Sequence, residues 1–202
     1  MVFLVGAALS QPEGDDPGVP GVDGVIEEIR EIIRLYKLDE RFESALANSG
    51  DGRSRYQRAM EFLSQNLGPE RVQSVIVRSV QKARNTRTEK RKPSRDLEND
   101  VDYWHLNSGT AALGQIISKH RDRFAPFQLT VNSDPLLHVA IRRAGGQPTF
   151  SVLNVDGTLP DEEGEVPDSV RIVNHGSVSY RLNAGLLRGG SNYAPHFKSS
   201  RP

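Results

Sequence analysis

Four consecutive β-forming apolar residues, Val2, Phe3, Leu4 and Val5, run directly into the small-residue stretch Gly6-Ala7-Ala8-Leu9-Ser10. A strand without polar alternation reads as one buried on both faces, as at the centre of a parallel sheet. The small residues after it let the chain turn sharply where that strand ends. A chain that begins this way needs other elements to cover its sheet.

The rest of the sequence supplies them. Gln11 to Gly24 is rich in glycine and proline and reads as a loop. From Val25 to Leu38 the residues Val25, Ile29, Ile32, Ile33 and Tyr36 recur at helical spacing, with Glu27, Glu28, Arg30, Glu31 and Arg34 on the other face. Ser54 to Asn66 and Pro69 to Ala83 predict two more helices, the second with proline at its first position. Ser108 to Arg123 predicts another, burying Ala111, Ala112, Leu113, Ile116 and Ile117. Then the pattern alternates. Phe127 to Val131 reads as a strand, and Pro135 to Ala144 as a short helix stopped by Gly145-Gly146. Phe150 to Val155 and Val170 to Val173 read as further strands. Asn85 to Asp100 is polar, carries the basic run Arg84 to Lys92, and reads as an exposed loop or disordered insertion. Asp161 to Asp168 reads as an acidic loop. This order predicts an α/β fold around a parallel sheet, with a helical insertion over about residues 25–100.

Composition narrows the function. The 202 residues suit one domain with a core of its own. The chain has no cysteine, which excludes a disulfide scaffold, a thiol nucleophile and a thiolate zinc site. His105, His120, His138 and His196 share no metal-ligand spacing, so no metal is expected. Lys plus Arg number 26 and Asp plus Glu number 26, so the net charge is zero. A large phosphate footprint needs a basic excess, which leaves a nucleic-acid module built on Arg84 to Arg95 the weakest reading. No apolar run approaches the roughly 20 residues of a membrane span. The N-terminal stretch lacks the basic region of a secretion signal, so a cytoplasmic setting with no membrane contact is expected.

In parallel sheets ligands bind outside the carboxyl ends of the strands. Three such ends carry small or polar residues. At Gly6 to Ser10 the backbone amides can approach a diphosphate, or the turn serves close packing alone. Thr130-Val131-Asn132-Ser133-Asp134 sets an amide and a carboxylate two residues apart, which suits a sugar diol or, equally, a turn that caps the next helix. His175 follows the last strand and offers a general base near neutral pH, or a solvated loop side chain.

The order of these pieces resembles the sirtuin-like NAD-binding family. That family shows Gly-Ala-Gly-x-Ser, Gly-Ile-Pro, Thr-x-Asn-x-Asp and His-Gly in sequence. Here the matching stretches are Gly6 to Ser10, Gly18 to Pro20, Thr130 to Asp134 and His175-Gly176. Leu136-Leu137 fits the bacterial branch, and the likeness covers about residues 2–180. The resemblance implies a Rossmann-like central parallel sheet flanked by helices, in one NAD-binding domain spanning residues 1–202. Ala8 stands where the family has its second glycine, and its methyl group narrows the approach to a diphosphate. Gly21-Val22-Asp23 replaces the run that follows Gly-Ile-Pro in deacylating sirtuins. The family usually continues further past its His-Gly, which implies a portion of a longer protein or an incomplete cofactor site.

Lysine-deacylating sirtuins carry a four-cysteine zinc module that cannot exist here. The stand-alone sirtuin-like domains of bacterial anti-phage systems commonly lack it and hydrolyse NAD. The resemblance thus implies an NAD glycohydrolase with NAD as substrate. Asn132 and His175 would be catalytic. Gly6, Ala7, Ala8, Ser10, Pro20, Thr130 and Asp134 would bind the nucleotide. Ser10 would serve through its hydroxyl, Asn132 would orient water or a ribose hydroxyl, and Asp134 would hold the ribose. It also implies a homo-oligomer, or a larger effector assembly with a sensor domain or partner protein. A non-catalytic NAD or nucleotide sensor is the alternative, followed by an NAD-dependent protein deacylase.

Overall fold

The helical period read from Val25 begins a turn earlier in the computed structural model, where α1 spans Val22–Leu35. The structure describes residues 1–47, 52–85, 100–125, 127–132, 134–152 and 169–174. Helix α1 stops before the expected Leu38 because Lys37 takes a left-handed conformation, φ 56°. The Lys37 amide then donates to the Arg34 carbonyl and the Leu38 amide to the Ile33 carbonyl. Glycine usually holds this position, since a Cβ is strained there. Leu38 packs back on the core and supplies the apolar contact that accompanies such a stop.

Helix α2, Asp39–Ala47, follows at once. The sequence did not announce it, because only Phe42 and Leu46 are buried in it, a single pair at one-turn spacing. Helices α3, Gly52–Leu67, and α4, Pro69–Gln81, complete a bundle. Its core joins Ile29, Ile33, Phe42, Leu63 and Val75, all fully enclosed. Phe42 meets Phe62 edge to face at 5.3 Å between ring centres. One charge lies inside: Glu28 accepts from Ser79 Oγ at 3.0 Å and pairs with Lys82 Nζ at 2.5 Å, tying α1 to α4. A buried carboxylate needs such partners to offset its lost hydration.

Among the described residues the sheet has four parallel strands in the order β1-β2-β4-β3. They are β1, Leu4–Val5; β2, Phe127–Thr130; β3, Gln147–Val152; and β4, Ser169–Asn174. Strand β3 starts before the expected Phe150, pairing Gln147 with Ser169 and Pro148 with Val170. Among the described strands it lies at one edge, where a proline lacking its amide is tolerated.

Two helices lie on the sheet, α5, Ser108–Lys119, and α6, Leu136–Arg143. With Val5 and Ile172 they close a core of Ile117, Leu137 and Ile141. A Cβ at Gly114 would stand 2.5 Å from the Ala140 carbonyl carbon, so α5 approaches α6 as only glycine permits. Helix α6 ends as its glycine pair predicts. Gly145 takes φ 85°, its amide donates to Arg142, and Gly146 donates to Ile141.

The expected central position of β1 is corrected. Among the described strands it lies at the edge, with Val5 buried and Leu4 72% exposed. On that same outer face Phe127 is 39% and Val131 54% exposed. Among the described residues, α5 and α6 pack on the opposite face, so the two-sided cover implied by the resemblance is not seen. An unbroken apolar run marks a strand but carries no record of its neighbours. The fold is mixed α/β and mostly helical, with a small parallel sheet. No described helix is long and apolar enough to cross a membrane.

Candidate functional site

The site is built where β1 and β2 end side by side, Val5 in register with Thr130. After Val5 the chain winds into a 3-10 turn, Ala7–Ser10, with the Leu9 amide donating to the Gly6 carbonyl at 3.1 Å. Ala7 and Ala8 are exposed in it, whereas Ser10 is only 3% exposed. Gly6 has φ −117°, which any residue adopts. A Cβ built there meets no described atom within 4 Å, so the described residues leave space beside Gly6.

At the end of β2, Thr130 Oγ1 accepts from the Asn132 amide at 3.0 Å and turns the chain. Asn132 is 7% exposed, and its Nδ2 donates to Ser10 Oγ at 2.9 Å. The Asp134 carboxyl group lies near the same hydroxyl. Asp134 Oδ1 accepts from the Leu136 amide at 3.0 Å, so it also caps the first turn of α6. Although Asp134 is partly exposed as a residue, protein atoms crowd its carboxyl group. That loss of hydration pushes its pKa up, and the hydrogen bonds from Leu136 and Ser10 oppose the rise.

The loop after the turn folds back on the same serine. The Val19 amide donates to the Ser10 carbonyl at 2.7 Å. Gly18 is buried against the backbone of Gln11 and Pro12, where a Cβ would stand 2.4 Å from the Pro12 nitrogen. Only glycine fits there. Pro20 lies against Gly24, just before α1 begins.

Three of the four stretches that carried the resemblance therefore meet at Ser10, across 122 residues of sequence. The fourth, His175-Gly176, lies outside the described residues, as do Ser133 and residues 86–99 and 153–168. Strand β4 ends at Asn174, in register with Thr130. Ser10, itself buried, joins the two strand ends by accepting from Asn132.

The sequence reading also missed residues that hold the turn. Asn107 caps α5, with its Oδ1 accepting from the Thr110 amide at 2.8 Å. Its Nδ2 donates to the carbonyls of Leu9 at 2.8 Å and Gln11 at 2.9 Å. Thr110 Oγ1 donates to the Leu9 carbonyl at 2.6 Å. Glu13 accepts from the Ser108 hydroxyl and amide, both at 2.7 Å, and these bonds hold its pKa below the usual value. The run Asn107-Ser108-Gly109-Thr110 reads as a cap from sequence alone. Its second set of partners, nearly a hundred residues away, leaves no local signal.

A hollow of about 460 Å³ lies on the bundle, lined by Glu40, Arg41, Ser44, Ala45 and Phe62, and not at the strand ends. Among the described residues no group of three or more histidine or acidic side chains is placed to hold a metal ion. The chain matches no protein-family model, no curated protein and no solved structure.

Proposed function

We propose that this chain binds NAD across the carboxyl ends of β1 and β2 and hydrolyses its nicotinamide–ribose bond. The observation that carries the reading is the convergence on Ser10 of the Gly6 turn, the Gly18–Pro20 loop and the Thr130–Asp134 strand end. Ligands of parallel α/β sheets bind at such strand ends. The space that the described residues leave beside Gly6 lets a diphosphate approach the backbone, with the exposed Ala7 and Ala8 alongside. A Rossmann-like sheet, completed on its outer face, belongs to the same proposal.

The chemistry follows from the groups. The bond from ribose C1′ to the nicotinamide ring nitrogen breaks, and its electron pair leaves with a neutral nicotinamide. Water forms the new C1′–oxygen bond and gives its proton to His175, which passes it to solvent. Asn132, oriented by its bond to Ser10, positions the water or a ribose hydroxyl, and Asp134 and Thr130 complete the ribose end. A positioned base contributes roughly 10²–10⁴-fold. Such an activity requires restraint in a resting cell, which calls for control by self-association or by a sensor domain or partner. A bacterial anti-phage role is the setting that the resemblance implies.

The test is release of nicotinamide from NAD by the purified chain. Release is expected, and Asn132→Ala and His175→Ala are each expected to abolish it while leaving the circular-dichroism spectrum and melting cooperativity intact. Absence of both release and NAD binding overturns the reading. A second reading, a non-catalytic nucleotide sensor, draws on the burial of Asn132 against Ser10. Calorimetric binding of NAD without turnover selects it.

A further inference from the structure

We infer that Asn107 is a positioning residue for the strand-end site, acting together with Thr110 by clasping the backbone on both sides of Ser10. The inference rests on the proposed use of that turn for NAD. Its geometry stands by itself. The two hydrogens of Asn107 Nδ2 go to the carbonyls of Leu9 and Gln11, the residues that flank Ser10. Thr110, fully buried, adds its hydroxyl to the Leu9 carbonyl. The carbonyl of Ser10 itself is taken by Val19. Three successive carbonyls are thereby held by partners from outside the turn.

That arrangement has a consequence for Ser10 Oγ. A four-residue 3-10 turn has few bonds of its own and poor hydrogen-bond geometry. Left alone it would sample other shapes, and its serine would drift from Asn132 and Asp134. With both neighbouring carbonyls held, the Ser10 hydroxyl stays in place to accept from Asn132. Helix α5 thus transmits its rigidity to the turn, and α5 is itself locked against α6 through Gly114. Supporting partners of this kind fix a site within the tolerances that binding needs.

The cap and the clasp can be separated by mutation. Asn107→Asp keeps an N-cap of equal quality but removes both donors and sets a carboxylate against two carbonyls. Thr110→Val removes the hydroxyl at nearly constant volume, and Thr110→Ser restores it. Hydrogen exchange on the full chain reads the clasp, and steady-state NAD hydrolysis reads positioning. In Asn107→Asp, amide exchange in residues 6–19 is expected to rise about tenfold while α1–α4 stay unchanged. KM for NAD is expected to rise about tenfold with kcat little altered, because the turn holds ground and transition states alike. Thr110→Val should shift both readouts the same way by less, and Thr110→Ser should restore them. Unchanged exchange in both variants overturns the clasp. Faster exchange with unaltered KM, or kcat falling in step with folded fraction, overturns the positioning role. If the wild-type chain binds no NAD, the functional reading falls and the positioning role with it, while exchange alone still decides whether the clasp exists.

Discussion

The α1–α4 bundle and the strand-end site are held together by opposite chemistry. The bundle closes on fully enclosed apolar side chains, Ile29, Ile33, Phe42, Leu63 and Val75 among them. Apart from the buried Glu28 with Lys82, its ion pairs, such as Arg30 with Glu43 at 2.6 Å, lie at the surface, where they contribute little. At the strand ends the reverse holds. Ser10, Thr130 and Asn132 are all buried polar residues joined by directed hydrogen bonds. Apolar packing tolerates small shifts, whereas a directed hydrogen bond between buried polar groups does not. The bundle therefore provides stability, and the strand ends provide a fixed arrangement of polar atoms.

The comparison can be broken in order of expected effect. Phe42→Ala should be the most damaging, since it empties a fully enclosed site against Phe62. A loss of about 3–5 kcal/mol is expected by urea denaturation, enough to threaten folding. A loss below about 1 kcal/mol would show a bundle looser than its packing indicates.

Ser10→Ala should cost less, about 1–3 kcal/mol, because it removes the buried hydroxyl that accepts from the side-chain amide of Asn132. Its expected signature is loss of NAD binding in a chain that still melts cooperatively. Retained binding would show that the hydroxyl link is dispensable.

Asp134→Asn should change stability least at fixed pH and most in its pH dependence. Crowding raises the Asp134 pKa above the ordinary 3.8, so the folded chain favours the protonated form. Below 3.8 that group carries no penalty. As the pH rises from there through the folded-state pKa, the unfolded chain ionises first and the wild type loses stability relative to the variant. Asparagine can still accept from the Leu136 amide. Denaturation of both proteins from about pH 3.5 to 7 should show the variant gaining on the wild type across that window. A gain in the opposite direction would place the Asp134 carboxylate in a favourable electrostatic site.

Much of the bundle was legible from its residues. The apolar stripe of α1, the proline opening α4 and the glycines closing α6 are signals carried within a few positions of where they act. The stop at Lys37 was not legible, because a lysine in a left-handed conformation is held by the docking of Leu38 and not by its own preference. Helix α2 was missed for want of periodic apolar residues. At the site, Asn132 and Asp134 were recognisable as polar residues after a strand. Their common attachment to Ser10 was not, and neither was the second role of Asn107.

The amino-acid order alone marked most of the segments that become helix or strand, α2 excepted, since hydrophobic period and turn chemistry act over one or two turns of chain. Only the tertiary structure decided that β1 lies at an edge of the described strands, that Leu4 and Val131 face outward, and that Ser10 sits between two strand ends. Those outcomes depend on which distant segments pack together. No residue carries a local record of a neighbour about a hundred positions away, so the hydrogen bonds that define the site exist only once the whole sheet has assembled.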